Sequence, residues 1–105
     1  MARFNVYRNR AKNRRFSPYV IDIQSSAVDF VETRIVIPLT RLECMMQGHL
    51  ACELFPVFQV LDERLFLHTS ELAAVPRRDL GSPITSLQRA QHRITSAIDF
   101  LFNAY

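Results

Sequence analysis

Cys44, His49 and Cys52 stand close together in the sequence and belong to the residue types that bind zinc. Their spacing, Cys-x4-His-x2-Cys, matches no standard zinc pattern, and the only candidates for a fourth ligand are the neighbouring carboxylates Glu43 and Glu53. In a reducing compartment a disulfide between the two cysteines is not expected. We therefore predict two free thiols and no metal site.

His68 is the residue that most invites a catalytic interpretation, because it stands in an apolar run beside Thr69, Ser70 and Glu71. The simpler interpretation is a histidine that pairs with a neighbour on a half-buried strand. With two glycines in the chain, no phosphate-binding loop or dinucleotide fingerprint can form, and no metalloprotease, nucleophile-elbow or kinase motif occurs. We predict no enzymatic activity, no catalytic residues and no cofactor.

Positive charge is concentrated near the beginning of the chain, which has 13 basic and 10 acidic residues and a net charge of +3. Three interpretations stay open for this cluster: a solvated loop, a surface for an acidic protein, or a surface for nucleic acid. The basic residues that precede the first acidic residue, Asp22, are Arg3, Arg8, Arg10, Lys12, Arg14 and Arg15.

The length of 105 residues predicts a single domain over residues 1–105. No apolar run approaches the roughly 20 residues that cross a bilayer, and the first residues lack the apolar core of a signal peptide. We therefore expect a cytoplasmic protein with no membrane partner.

The elements that must position these side chains are mostly strands in the first three-quarters of the chain. Apolar alternation and β-branched runs predict strands at 4–8, 19–23, 34–39, 56–61, 64–69 and 72–75. Pro38 indicates an edge or a bulge, and Asp62-Glu63 is typical of a tight hairpin. Residues 41–54 fit either a helical turn or a second hairpin.

The end of the chain changes to helical periodicity. Thr85 or Ser86 is placed to cap the helix, with Gln88 completing a capping box from Thr85. Strands followed by one terminal helix predict an α+β fold in which the helix covers one face of a strongly bent antiparallel sheet. The apolar stripe of the helix consists of Leu87, Ala90, Ile94, Ala97, Ile98 and Leu101.

Aromatic side chains crowd the last six residues, where Phe100, Phe102 and Tyr105 follow a stripe that already supplies the inward face. At 100° per residue, Phe100 lies about 200° from Ile98, whereas Phe102 lies near it. Some of these rings therefore point outward to a partner surface, unless the helix end folds back on its own sheet.

Several segments, taken in order, resemble the CcdB toxins of bacterial toxin–antitoxin modules. They are FNVY at 4–7, VIDIQS at 20–25, RIVIPL at 34–39, ELFPV at 53–57, AVP at 74–76 and AIDFLF at 97–102. No single segment is specific, but their joint order and spacing are, and the resemblance covers residues 3–105.

The resemblance implies a homodimer built on an SH3-like barrel of the CcdB/MazF type with a C-terminal helix. It also implies a toxin that binds the A subunit of DNA gyrase and traps the enzyme on cleaved DNA. A CcdA-like antitoxin with a disordered acidic tail would neutralise the toxin, and the operator DNA of the operon would be contacted only through the antitoxin.

The resemblance also implies site residues. Toxicity in the family depends on a Trp-Gly-Ile or related ending, where this chain has Asn103, Ala104 and Tyr105. The gyrase-binding residues implied are Ala27, Val28, Asp99, Phe102, Asn103, Ala104 and Tyr105. Charge complementarity adds an expected antitoxin-binding set in the basic segment, namely Arg8, Arg10, Arg14 and Arg15.

Two alternatives follow from the same resemblance. The chain is either a diverged member that binds antitoxin without poisoning gyrase, or an endoribonuclease of the MazF type, which shares the fold. The second would use arginine and hydroxyl groups such as those of Arg3, Arg64, Thr69 and Ser70.

Overall fold

The computed structural model describes residues 2–46 and 53–103. Within them the chain forms a sheet of short strands followed by one helix, Gln91–Asn103 (α1). Short 3-10 turns connect many of the strands. The strands are Asn5–Arg8 (β1), Tyr19–Asp22 (β2), Thr33–Arg41 (β3), Val57–Val60 (β4), Glu63–Leu67 (β5), Ala73–Pro76 (β6) and Thr85–Ser86 (β7).

The sheet is antiparallel and nearly closed, like a barrel, with the strand order β4-β5-β3-β2-β1-β7. Its central strand, β3, pairs with β2 along one edge. Along its other edge β3 pairs first with β6, from Thr33 to Val36, and then with β5, from Leu39 to Arg41. This change of partner lets one strand belong to two parts of the sheet and bends it. The predicted α+β class with a strongly bent antiparallel sheet is confirmed.

Pro38 occupies the point where β3 changes partner. The residue is buried and pairs with Val20 of β2, so it lies inside the sheet and not on an edge strand as one interpretation of the sequence had it. Its carbonyl accepts a hydrogen bond from His68 N, on the side away from β2. A residue's N and O point to the same side of a strand, so the missing N–H faces the gap between β6 and β5 and costs no bond to β2.

The helix covers one face of the sheet. Ile94 and Ala97 of α1 are completely buried against strand residues such as Val6, Ile21 and Ile37, which stand opposite one another on adjacent strands. The predicted apolar stripe is confirmed within α1, where Ile98 also packs against this core, whereas Leu87 and Ala90 reach it from the 3-10 turn before the helix. The other face of the sheet holds a smaller apolar cluster formed by Tyr7, Val20, Val36 and Leu80.

The hairpin between β4 and β5 turns one residue earlier than predicted. Val60 pairs with Glu63, which leaves Leu61 and Asp62 as the turn, and Leu61 has a left-handed φ of 54°. Glu63 belongs to β5, where its carboxylate binds Arg41 of β3. The prediction of an Asp62-Glu63 turn was wrong because this cross-strand ion pair and the register hold Glu63 in the ladder.

The predicted capping box at the start of the helix is also wrong. Thr85 pairs with Val6 as part of β7, so its backbone is extended and α1 begins only at Gln91, after a 3-10 turn at Gln88–Ala90. Ser86 Oγ does accept a hydrogen bond from Gln88 N at 3.1 Å, as a start signal should. The Gln88 side chain donates instead to Gln91. Of the ambiguous stretch 41–54, Leu42–Cys44 forms a 3-10 turn, and 47–52 lie outside the described residues.

Candidate functional site

The last turns of α1 present polar and aromatic groups away from the sheet. Asp99 and Asn103 follow the exposed side of the helix, opposite Ile94 and Ala97. Phe102 lies about 60° from Asp99 around the helix axis and is 66% exposed. The prediction that aromatic rings point outward is confirmed for Phe102 and, at 40% exposure, for Phe100. The expected site residues Ala104 and Tyr105 lie outside the described residues.

Ala27 and Val28 lie on a separate element, the 3-10 turn Ser26–Val28 that follows β2. Both residues are exposed. The turn forms here because Ser25 Oγ accepts a hydrogen bond from Ala27 N at 3.2 Å and the Val28 and Asp29 amides bond back to Ser25 and Ser26. The two expected gyrase-binding segments therefore belong to different secondary-structure elements of the chain.

A buried ion network fixes the loop that carries Ala27 and Val28, and it was not predicted from the sequence. The Arg34 guanidinium is fully buried and lies 2.7 Å from Asp22 Oδ2 and 2.5 Å from Asp29 Oδ1. Arg77, which follows β6, also contacts this loop and donates hydrogen bonds to the carbonyls of Asp29 and Val31. The available signal was opposite charges inside apolar strands, at Asp22 and Arg34, since such charges are buried only when paired.

The basic segment from the end of β1 to the start of β2 contains two pairs of arginines. Arg8 and Arg10 border a cavity of about 310 Å³ that is also lined by Val20, Asp79 and Leu80. The Arg10 guanidinium lies directly over Gly81, where an added Cβ would approach Nη2 to 2.6 Å. Gly81 also has a φ of 69°, in the left-handed region that favours glycine, whereas the exposed Arg10 side chain can move away from an added Cβ.

Arg14 and Arg15 belong to the exposed 3-10 turn Lys12–Arg15. Arg14 Nη1 donates to the Ala11 carbonyl at 3.2 Å, and the Arg15 guanidinium lies 5.8 Å from the centre of the Phe16 ring. The Arg15 carbonyl accepts from Arg41 Nε, so this turn rests against the end of β3. The four expected antitoxin-binding residues thus form a cavity rim and an open turn.

Tyr7 is a buried titratable residue next to that cavity. Its side chain is 1% exposed and packs against Val20 and Leu80, both of which also line the cavity. Burial raises the pKa of the Tyr7 hydroxyl above its ordinary value of 10, because the phenolate loses its hydration. The Asn5 side chain opposes this shift with a hydrogen bond.

The residues expected of a ribonuclease are not arranged as a site. Thr69 is completely buried and its hydroxyl donates to the Leu54 carbonyl at 2.5 Å, so the hydroxyl serves the fold. Arg64 stands near the start of β5 and Thr69 beyond its end, roughly 15 Å away along the strand direction. Arg3 donates to the Ile23 carbonyl, and Ser70 is exposed.

His68 and the cysteines were the other residues whose types suggested catalysis or metal binding. His68 Nδ1 lies 3.5 Å from Thr40 Oγ1, and its ring contacts Phe55 and Phe66, which confirms the prediction of a half-buried histidine paired with neighbours. Cys44 is a free thiol. His49 and Cys52 lie outside the described residues.

Residues 2–46 and 53–103 contain no group of three or more histidine, cysteine or acidic side chains that could hold a metal ion. In the same ranges no helix has the length and apolar character needed to span a membrane.

A comparison with protein-family models gives one match that covers nearly the whole chain. The family described as CcdB protein matches residues 3–104 of the 105. The matched range includes the loop of Ala27 and Val28, the basic segment and the whole of α1.

Proposed function

The chain belongs to the CcdB family, and on that basis we propose that it binds the A subunit of DNA gyrase and traps the complex of gyrase with cleaved DNA. Membership alone makes the chain a toxin of a toxin–antitoxin module. The proposal adds the target, the mode of action and the residues in contact.

The observation that carries the proposal is the exposed ring of Phe102 at the end of α1. A phenylalanine that is 66% exposed has a hydrophobic cost that binding would remove. Its neighbours Asp99 and Asn103 are exposed polar groups that can form hydrogen bonds at the rim of an interface. This combination of an aromatic anchor and a polar rim suits binding to a folded protein. The proposed mode of action is therefore binding to gyrase.

A second contact is supplied by Ala27 and Val28, whose turn is stabilised by local hydrogen bonds and the adjacent ion network. A preformed turn loses little conformational entropy on binding. Because family members are homodimers, the assembled toxin would present two copies of each contact segment to the gyrase A subunits.

The antitoxin partner that we propose is a CcdA-like protein with an acidic, disordered tail. Arg8 and Arg10 at the cavity rim would bind its carboxylates while the apolar lining takes a hydrophobic side chain. Arg14 and Arg15 on the open turn would speed the encounter through long-range attraction. Operator DNA would be contacted through the antitoxin.

The test is a gyrase cleavage assay with purified protein, gyrase, ATP and supercoiled plasmid, followed by detergent and protease. We expect linear DNA to increase with the toxin concentration, and addition of a CcdA antitoxin to suppress it. Circular dichroism and sedimentation on the same sample establish that the protein is a folded dimer. With that control in place, an absence of linear DNA at excess toxin would overturn the proposal.

One sequence feature favours a second candidate, a family member that binds antitoxin without poisoning gyrase. Asn103 stands where toxic members have an indole that supplies a large flat contact. Loss of such an anchor typically costs about 2–4 kcal/mol of binding free energy. The cleavage assay separates the two candidates, since the second predicts tight antitoxin binding with no linear DNA.

A further inference from the structure

Phe30 is the most exposed large apolar side chain among the described residues, at 83%. It follows the turn of Ala27 and Val28 by two residues and precedes β3. At that exposure most of the apolar surface of the ring is in contact with water, and burial against a partner would remove it from water at a gain in free energy.

The backbone that carries Phe30 is held from both sides. The residue before it, Asp29, binds the buried Arg34 guanidinium, and the Asp29 amide bonds to Ser26. The residue after it, Val31, donates its N–H to Val28 and accepts from Arg77 Nη2 at 3.1 Å. A ring on such a restrained segment is presented in one place, which lowers the entropy that binding must overcome.

The surroundings of Phe30 are those of a binding surface. Its ring borders an open cavity of about 320 Å³ together with Glu32, Arg77 and Arg78. Arg77 is held by backbone carbonyls, whereas the Arg78 side chain is exposed at the rim. Aromatic and arginine side chains are the types most enriched among residues that dominate protein interfaces.

We propose that Phe30 is an anchor of the contact with the gyrase A subunit, with Arg78 binding a carboxylate beside it. The inference rests on the proposed function and extends the contact surface of Ala27 and Val28. It commits to gyrase because Phe30 follows Val28 by two residues on the same restrained loop, where the Val31 amide donates to the Val28 carbonyl. A rigid ring fits a preformed recess in a folded protein better than it fits an extended acidic tail. The gyrase face is expected to offer an apolar recess with an acidic residue at its edge.

The experiment measures the affinity of the purified dimer for the gyrase A subunit by calorimetry. We expect Phe30→Ala to weaken binding about 30-fold, the effect typical of a strong interface anchor, and Phe30→Tyr to retain most of the affinity. Leu61→Ala is the control, because Leu61 is an exposed apolar residue on the distant β4–β5 turn. Thermal unfolding of each variant checks that the fold is intact.

Arg78 is tested separately through salt dependence. Arg78→Glu is expected to weaken gyrase binding about tenfold at low salt, with a smaller effect at high salt where surface charges are screened. Arg89→Glu, at an exposed arginine in the turn before α1, is the matched control.

Two further measurements on Phe30→Ala test whether the Phe30 surface binds the antitoxin or a second copy of this chain instead of gyrase. One is binding of a synthetic peptide with the acidic tail of a CcdA antitoxin, and the other is the dimer dissociation constant from sedimentation. A loss confined to gyrase supports the inference. A loss of peptide binding or of dimerisation instead, or unchanged gyrase affinity, overturns it. If the wild-type dimer itself does not bind the gyrase A subunit, the proposed function fails first and takes this inference with it.

Discussion

Arg34 and Asp22 form an ion pair that is completely removed from solvent, with Nη2 2.7 Å and Nε 2.9 Å from the same carboxylate oxygen. The other oxygen of Asp22 accepts the Gln24 amide, and Arg34 Nη1 binds Asp29. Every charge in the group therefore has a partner, which is the condition under which buried charges are tolerated. The pair joins β2 to β3 and orients the loop between them.

Arg34→Met is expected to destabilise the protein by about 3–5 kcal/mol, because it leaves the carboxylate of Asp22 buried without its cation. Urea unfolding followed by circular dichroism measures the free energy of unfolding. Arg64→Met, at an exposed position of β5, is the control and should change it by about 0.5 kcal/mol or less.

The double variant Asp22→Leu/Arg34→Met separates the loss of the ion pair itself from the cost of leaving the Asp22 carboxylate buried without a partner. Removing both charges together is expected to restore part of the stability, because no unpaired ion is left in the interior. A single Arg34→Met variant that loses less than about 1 kcal/mol would show that the carboxylate finds another partner and that the network is not essential.

The raised pKa of Tyr7 predicts that the folded protein loses stability in alkaline solution. Burial raises the pKa of its hydroxyl in the folded state above the value of 10 expected in the unfolded chain. The folded protein then binds more protons above pH 10, so this contribution to stability is complete below pH 10 and is lost as the pH rises through the folded pKa. Urea unfolding at several pH values from 8 to 11.5 should show a steeper alkaline decline for wild type than for Tyr7→Phe. Parallel curves would contradict the interpretation.

The parts of the fold that were predicted correctly depend on local periodicity. The stripe of Ile94 and Ala97 indicates both the helix and its buried face, and the β-branched run at 35–37 favours a strand. Strand pairing, in contrast, depends on residues that are far apart in the sequence. Whether Glu63 belongs to a turn or to β5 is decided by Arg41, 22 residues away, and whether Thr85 caps a helix or extends the sheet is decided by Val6.

The candidate site was harder to predict than the fold, for a related reason. The basic segment is contiguous in sequence, but the direction of each side chain depends on the 3-10 turn and on the neighbouring loop at Gly81. Phe30 was missed because sequence patterns do not distinguish an exposed phenylalanine from a core one. The residue before it, Asp29, is held by Arg34, which comes five residues later in the sequence, and the Phe30 ring itself is exposed.

Phe102→Ala is expected to reduce gyrase-dependent DNA cleavage at least tenfold while the unfolding free energy changes by about 0.5 kcal/mol or less. Phe100→Ala is the comparison, because Phe100 lies about 160° from Phe102 around α1, and this variant should retain more activity. Ile94→Ala, in contrast, should act through stability and cost about 2–5 kcal/mol, because Ile94 is completely buried. Equal cleavage by wild type and Phe102→Ala, at equal concentrations of folded dimer, would rule out the helix end as the gyrase contact.

The two pairs of arginines should differ in their effect on antitoxin binding. Arg8 and Arg10 border a cavity with an apolar lining, where a carboxylate is partly shielded from water, so Arg8→Ala/Arg10→Ala should weaken binding of an acidic CcdA-tail peptide about 30-fold. Arg14 and Arg15 are on an exposed turn, and their double alanine variant should lose only about threefold.

Calorimetry at low and high salt checks both statements. The loss caused by Arg14→Ala/Arg15→Ala should nearly vanish at high salt, because screening removes the attraction between exposed charges in the wild type as well. The loss caused by Arg8→Ala/Arg10→Ala should persist, since a shielded ion pair is screened less. Equal losses for the two pairs at both salt concentrations would mean that the peptide responds to total positive charge, and the cavity would then have no special part in antitoxin binding.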